Sequence, residues 1–215
     1  MGLKELYVPV IILITLLVFI KARRKFGFTF FVVFTIYLVS NFFIEFLSDI
    51  LAIYNLNNLA VYNISILFEG LTFCYMFYSV NKNRTIRKAL VITSSIFLLF
   101  WVVNFFFIQK YNTLNTFTYL FSCINLAVFS LVTIYQFVFQ NSFNNPFYNF
   151  FFWASIGILF CYLGNIPYLA SFNILAIKDE ATAISLGIIS QVVNSILYFM
   201  IITGILCHRP ETNYK

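Results

Sequence analysis

Residues 60–109 read AVYNISILFEGLTFCYMFYSV, then NKNRTIRK, then ALVITSSIFLLFWVVNFFFIQ. Two apolar runs flank a polar gap that carries Lys82, Arg84, Arg87 and Lys88. At about 1.5 Å per residue, each run makes a helix of about 30 Å, the thickness of a bilayer's hydrocarbon core. The same alternation extends along the chain. Apolar runs over 6–20, 26–53, 60–80, 89–109, 117–139, 147–171 and 183–207 predict seven transmembrane helices. The first run is short and needs its flanks to cross. The second reaches roughly 40 Å, so it must tilt, bend or emerge from the membrane.

Composition agrees. Hydrophobic residues make up 62% of the 215 and charged residues 9%, more apolar surface than a soluble domain of this length can bury. The expected fold class is an all-α membrane protein, a single seven-helix domain over 1–215 with the lipid bilayer as its main partner. The net charge of +6 is not a nucleic-acid footprint, because the cations lie in short clusters beside the runs.

Those clusters set a direction. Lys21, Arg23, Arg24, Lys25, Lys82, Arg84, Arg87 and Lys88 fall after runs one and three, and Arg209 and Lys215 follow run seven. The opposite gaps hold Lys4, Lys110 and Lys178. The positive-inside rule then predicts an outer N-terminus, a cytoplasmic C-terminus and a multi-pass protein of the cytoplasmic membrane. The gap from Gln140 to Pro146 has no cation and does not oppose this. The heavy positive block follows the first run instead of preceding it, so that run reads as a retained span and not a cleaved signal.

Polar residues inside the runs are the candidates for function, because an ionisable or amide group in a span is costly and usually faces the bundle interior. Glu45 and Asp49 share one helix face with Tyr37, Asn41 and Ser48, and Tyr62, Ser65, Glu69 and Thr72 form a second stripe. Counting residues from the ends of each run puts Glu69 near the bilayer centre. Glu45, Asn104, Asn125, Asn165 and Gln191 fall in the outer half, with Asn194 near the middle. These seven are the expected lining of an outward-facing, ligand-binding pocket. The competing reading is that they pair with one another and hold the helices together. Pro167, within Gly164-Asn-Ile-Pro-Tyr168, predicts a kink in the sixth span.

Several chemistries are closed. His208 is the sole histidine and sits at the cytoplasmic end, so neither an intramembrane Ser–His pair nor a multi-histidine metal centre can form. No nucleotide-binding glycine motif occurs, and the last run has no lysine for a retinal Schiff base. Cys74, Cys123, Cys161 and Cys207 lack metal or redox spacing and read as apolar packing residues. The expectation is therefore a non-enzymatic protein with no catalytic residue, metal or cofactor.

Several loose patterns carry a resemblance. They are Phe68-Glu69 with the aromatic run behind it, Asn104-Phe-Phe-Phe-Ile-Gln109, Phe152-Trp153 with Gly157, Phe160 and Tyr162, and then Asn194 and Tyr198. Over roughly residues 30 to 207 the chain resembles short bacterial seven-helix membrane proteins of unassigned activity, often encoded beside sensor histidine kinases. It is unlike the sugar-exporting seven-helix family, whose Pro-Gln pair it lacks. The resemblance implies a signalling-associated role and supplies no catalytic residue; the expected partner is a membrane-bound kinase or another membrane protein subunit. Three functional classes follow: a sensor subunit working through another membrane protein, a small solute or proton-coupled transporter, and a structural or assembly subunit of a membrane complex.

Overall fold

A computed structural model describes residues 7–54, 56–139, 145–178 and 180–209. Lys4, Lys215 and residues 140–144 of the cation-free gap lie outside them. The described residues form seven α-helices and no strand: α1 (Tyr7–Lys21), α2 (Phe28–Ile53), α3 (Leu59–Val80), α4 (Arg84–Val103), α5 (Thr116–Phe139), α6 (Phe150–Lys178) and α7 (Glu180–Cys207). Helices α2 to α7 each contain a segment long and apolar enough to cross a membrane. Helix α1, with 15 residues, is about 22 Å long and falls short of a full crossing by itself.

Element boundaries depart from the expected runs where polar groups cap or extend a helix. Helix α4 starts at Arg84 and not at 89, because the Asn83 side chain accepts the Thr85 N–H at 2.8 Å and satisfies an otherwise orphaned donor. Arg84, Arg87 and Lys88 thus belong to a helix and not to a loop, and the Arg87 guanidinium lies 4.0 Å from the centre of the Tyr78 ring. At its far end α4 widens into a π turn over Asn104–Ile108. Helix α6 runs past 171 to Lys178 and continues through Pro167 as one element.

The packing is a ring with one outlier. Helices α1, α2, α3, α5, α6 and α7 each pack on the next, and α7 closes back on α1. Helix α4 packs only on the outside, against α3 and α5, and is the least buried of the six long apolar segments. The α6–α7 contact is the most extensive and is built on glycines. A Cβ at Gly157 would stand 2.9 Å from Met200 Cβ, and one at Gly164 would stand 2.7 Å from Val193 Cγ1. Small residues at such a crossing let the two backbones approach closely, which is how membrane helices gain packing energy without a hydrophobic drive between them.

The ring's two ends differ. At the end bearing the basic turns, Phe19, Phe34, Phe73, Phe77 and Phe150 are fully buried. Phe34 meets Phe150 at 5.6 Å and Tyr37 at 5.4 Å between ring centres. Lys25 Nζ donates to the carbonyls of Ile205 and Leu206 at 3.1 and 3.2 Å, placing a cation on the negative end of the α7 dipole. His208 stacks on Phe26 at 4.8 Å, and its Nδ1 accepts the Phe150 N–H at 3.3 Å.

Candidate functional site

The opposite end of the ring is hollow. A partly open cavity of about 330 Å³ descends from the α2–α3 turn, at Asn58 and Leu59, to the middle of the bundle. All six ring helices contribute to its wall and α4 does not, so the cavity is the ring's own lumen. Leu59 and Glu69 both line it, and ten residues of helix separate them, giving a depth of about 15 Å.

Its chemistry comes from stripes at helical spacing. From α2 come Asn41, Glu45 and Asp49, and from α3 come Tyr62, Ser65 and Glu69. Residues three or four apart share a helix face, so a single orientation of each helix aims all three of its polar groups inward. Helix α7 adds Ser190, Gln191, Asn194 and Tyr198, while α5 and α6 supply Tyr119, Tyr168 and Phe172. Among the residues whose side chains are described, no Lys, Arg or His lines the cavity.

Glu69 forms the floor. Its Oε1 accepts the Tyr37 hydroxyl at 3.2 Å, and Tyr37 is itself buried against Phe34 and Phe73. Glu69 is half-buried as a residue and lines the cavity. Beside it the Ser65 hydroxyl donates to Asn41 Oδ1, and Asn41 Nδ2 donates to the Tyr198 hydroxyl, each at 3.3 Å. This relay joins α3, α2 and α7 across the cavity floor.

The seven residues singled out from sequence divide. Glu45, Glu69, Gln191 and Asn194 converge on the cavity; Asn104, Asn125 and Asn165 do not line it. Asn104 is fully buried on α4, where its Nδ2 donates to Gln109 Oε1 at 2.9 Å and to Thr118 Oγ1 at 2.8 Å, so it braces the α4–α5 corner. Asn125 Nδ2 points to Cys74 Sγ at 3.9 Å, between α5 and α3. Asn165 Nδ2 points to Cys161 Sγ at 3.5 Å within α6, and the same sulfur lies 3.1 Å from Asn194 Oδ1.

Other residues of the lining were not among the candidates. Asp49, Asn41, Tyr62 and Ser65 belong to the stripes already legible in the sequence. Tyr119, Tyr168 and Tyr198 do not, because tyrosine is common here (14 residues) and an interfacial role explains most of it. A depth count on the tyrosines would have put Tyr119 and Tyr168 in the same half as Glu45.

The four cysteines carry no disulfide, and no cluster of three or more His, Cys, Asp or Glu that could hold a metal ion occurs among the described residues. Compared with protein-family models, with curated proteins and with solved structures, the chain matches none.

Proposed function

We propose that this chain is a seven-span membrane protein, N-terminus outside and C-terminus cytoplasmic, that binds a small polar ligand from the outer side and acts as a sensor subunit. Three facts support the topology: the cation asymmetry, the six long apolar segments, and the packing of α1 between α2 and α7 as a full member of the ring. In this orientation the cavity opens away from the cytoplasm.

One observation carries the sensor reading over transport: the cavity is blind. Below Glu69 the lining does not continue, and the fully buried Phe34, Phe73, Phe77 and Phe150 lie there. The same aromatic packing is a mechanical link. Tyr37 contacts Glu69 through its hydroxyl and Phe34 through its ring; Phe34 meets Phe150, and Phe150 meets Phe26, which stacks on His208 at the basic end. A ligand that draws Glu69 towards itself shifts Tyr37 and, through this tightly packed column, the basic turns. Those turns, or the lipid-facing side of α4, then meet a membrane-bound partner, a kinase in the reading that the sequence resemblance suggests.

Thiol labelling of intact cells tests the pocket and its orientation together. In a chain whose native cysteines are replaced by serine or alanine, Ser190→Cys is expected to react with a membrane-impermeant maleimide, while Ser130→Cys, buried in the packed half, stays unlabelled. Protection of Ser190→Cys in intact cells, with labelling only in inverted vesicles, would overturn the orientation. Affinity purification in mild detergent then separates the functional classes. Recovery of a kinase favours the sensor, a large envelope complex favours an assembly subunit, and neither leaves transport as the stronger reading.

A further inference from the structure

The cavity is acidic and closed at its floor, and no Lys, Arg or His lines it among the residues whose side chains are described. Glu45 and Asp49 stand one helical turn apart on α2, and Glu69 faces them from α3. The Tyr37 hydroxyl donates to Glu69 Oε1 at 3.2 Å, a neutral partner that satisfies part of one carboxyl's accepting capacity. Carboxylates held in protein of low effective dielectric attract a positive guest far more strongly than they would in water.

What kind of positive guest follows from the remaining walls. A divalent metal would want several oxygen ligands at about 2.0–2.6 Å, and the three acidic groups do not gather to that spacing. The volume of about 330 Å³ equals that of roughly ten water molecules at about 30 Å³ each, so the cavity admits an organic molecule. Tyr62, Tyr119 and Tyr168 give it aromatic sides. Carboxylate at the floor and aromatic rings around it are together the two features that recognise an ammonium head, the first by charge and the second by the ring quadrupole.

We propose that the lumen of the ring is a binding site for a small organic cation, its ammonium group held by Glu69 and Glu45 and its body against the tyrosine walls. This rests on the ligand-binding reading above and narrows it to one chemical class.

The test uses the purified full chain in lipid nanodiscs, with choline, ethanolamine and putrescine as ammonium probes. The uncharged control is 3,3-dimethyl-1-butanol, which matches choline in shape without its charge. Ammonium probes are expected to raise the unfolding temperature in a saturable way, and the uncharged isostere is not. Glu69→Gln, which keeps an acceptor for Tyr37, is expected to weaken probe binding by about tenfold or more. Glu45→Gln supplies an independent variant should Glu69→Gln fold poorly. Equal stabilisation by choline and its isostere would overturn the charge argument, as would full affinity in both Gln variants. Failure of all three ammonium probes, with Ser190→Cys still labelled from outside, would overturn this inference and leave the accessible pocket standing. Loss of that labelling would remove the pocket reading itself.

Discussion

The seam between α6 and α7 carries one whole wall of the cavity, so its closeness can be tested by adding a single carbon. Gly157→Ala puts a Cβ 2.9 Å from Met200 Cβ and 3.2 Å from the Leu197 carbonyl oxygen. Neither neighbour is the free end of a flexible side chain, so the helices must separate by a few tenths of an ångström. Overpacking of this kind costs about 1–3 kcal/mol, and the better helix propensity of alanine returns up to about 1 kcal/mol, leaving a net loss of about 1–2 kcal/mol. For a chain of this size that corresponds to a fall of about 2–8 °C in unfolding temperature, measurable from the fluorescence of Trp101 and Trp153 in detergent. Gly187→Ala is the matched control: nothing lies within 4 Å of its added Cβ, so it should be neutral or slightly stabilising. The displacement also reaches the site, since Leu197 adjoins Tyr198 and the cavity residue Asn194 lies one turn before it. Probe affinity should fall with stability in Gly157→Ala; Gly187 lines the cavity, so its alanine serves as a control for stability alone. If both alanines are equally well tolerated, α6 and α7 do not pack at this distance, and the argument for a rigid wall is lost.

Two further substitutions separate scaffold from site. Asn63 is fully buried outside the cavity lining; its Nδ2 donates to the Thr113 carbonyl and its Oδ1 accepts the Asn115 N–H, both at 2.8 Å. Asn63→Ala leaves both backbone groups unpaired and should cost about 2 kcal/mol in thermal unfolding, although no ligand touches it. Lys25→Met removes the cation at the α7 C-terminus while keeping the apolar stem. It should cost about 0.5–1 kcal/mol at low salt and less at high salt, with probe affinity unchanged.

Reading along the chain recovers depth well and direction around each helix poorly. All seven helices overlap their expected runs, because apolar length is a property of consecutive residues and needs no knowledge of neighbours. Glu45 and Glu69 reach the cavity as expected because each sits in a polar stripe, and a stripe fixes which way a helix must turn. Asn104 has the right depth and no role in the cavity wall. Its helix lies outside the ring, where α3 and α5 pack directly on one another, and short antiparallel connections alone do not reveal that displacement. Asn165 shares its helix with the cavity residues Tyr168 and Phe172 but turns to Cys161 instead, and a lone amide among apolar neighbours gives no sign of its facing.

The displacement of α4 explains why one half of the bundle is hollow. Six helices in a closed ring enclose a lumen too wide for two opposed side chains to fill unless those chains are large. In the basic half they are large: Phe34 meets Phe19 and Phe150, Phe73 meets Tyr37 and Tyr162, and Phe77 meets Phe129, with all five phenylalanines Phe19, Phe34, Phe73, Phe77 and Phe150 fully buried. In the other half the facing positions hold Asn41, Glu45, Ser65 and Asn194, which are too short to close the gap and too polar to face lipid. The cavity is therefore written into residue size as much as into polarity. Where the aromatic filling stops, at Tyr37, its hydroxyl reaches the Glu69 carboxyl at 3.2 Å. The floor of the cavity and the top of the packed column are the same contact, so in the proposed reading a ligand on Glu69 would act on the column directly.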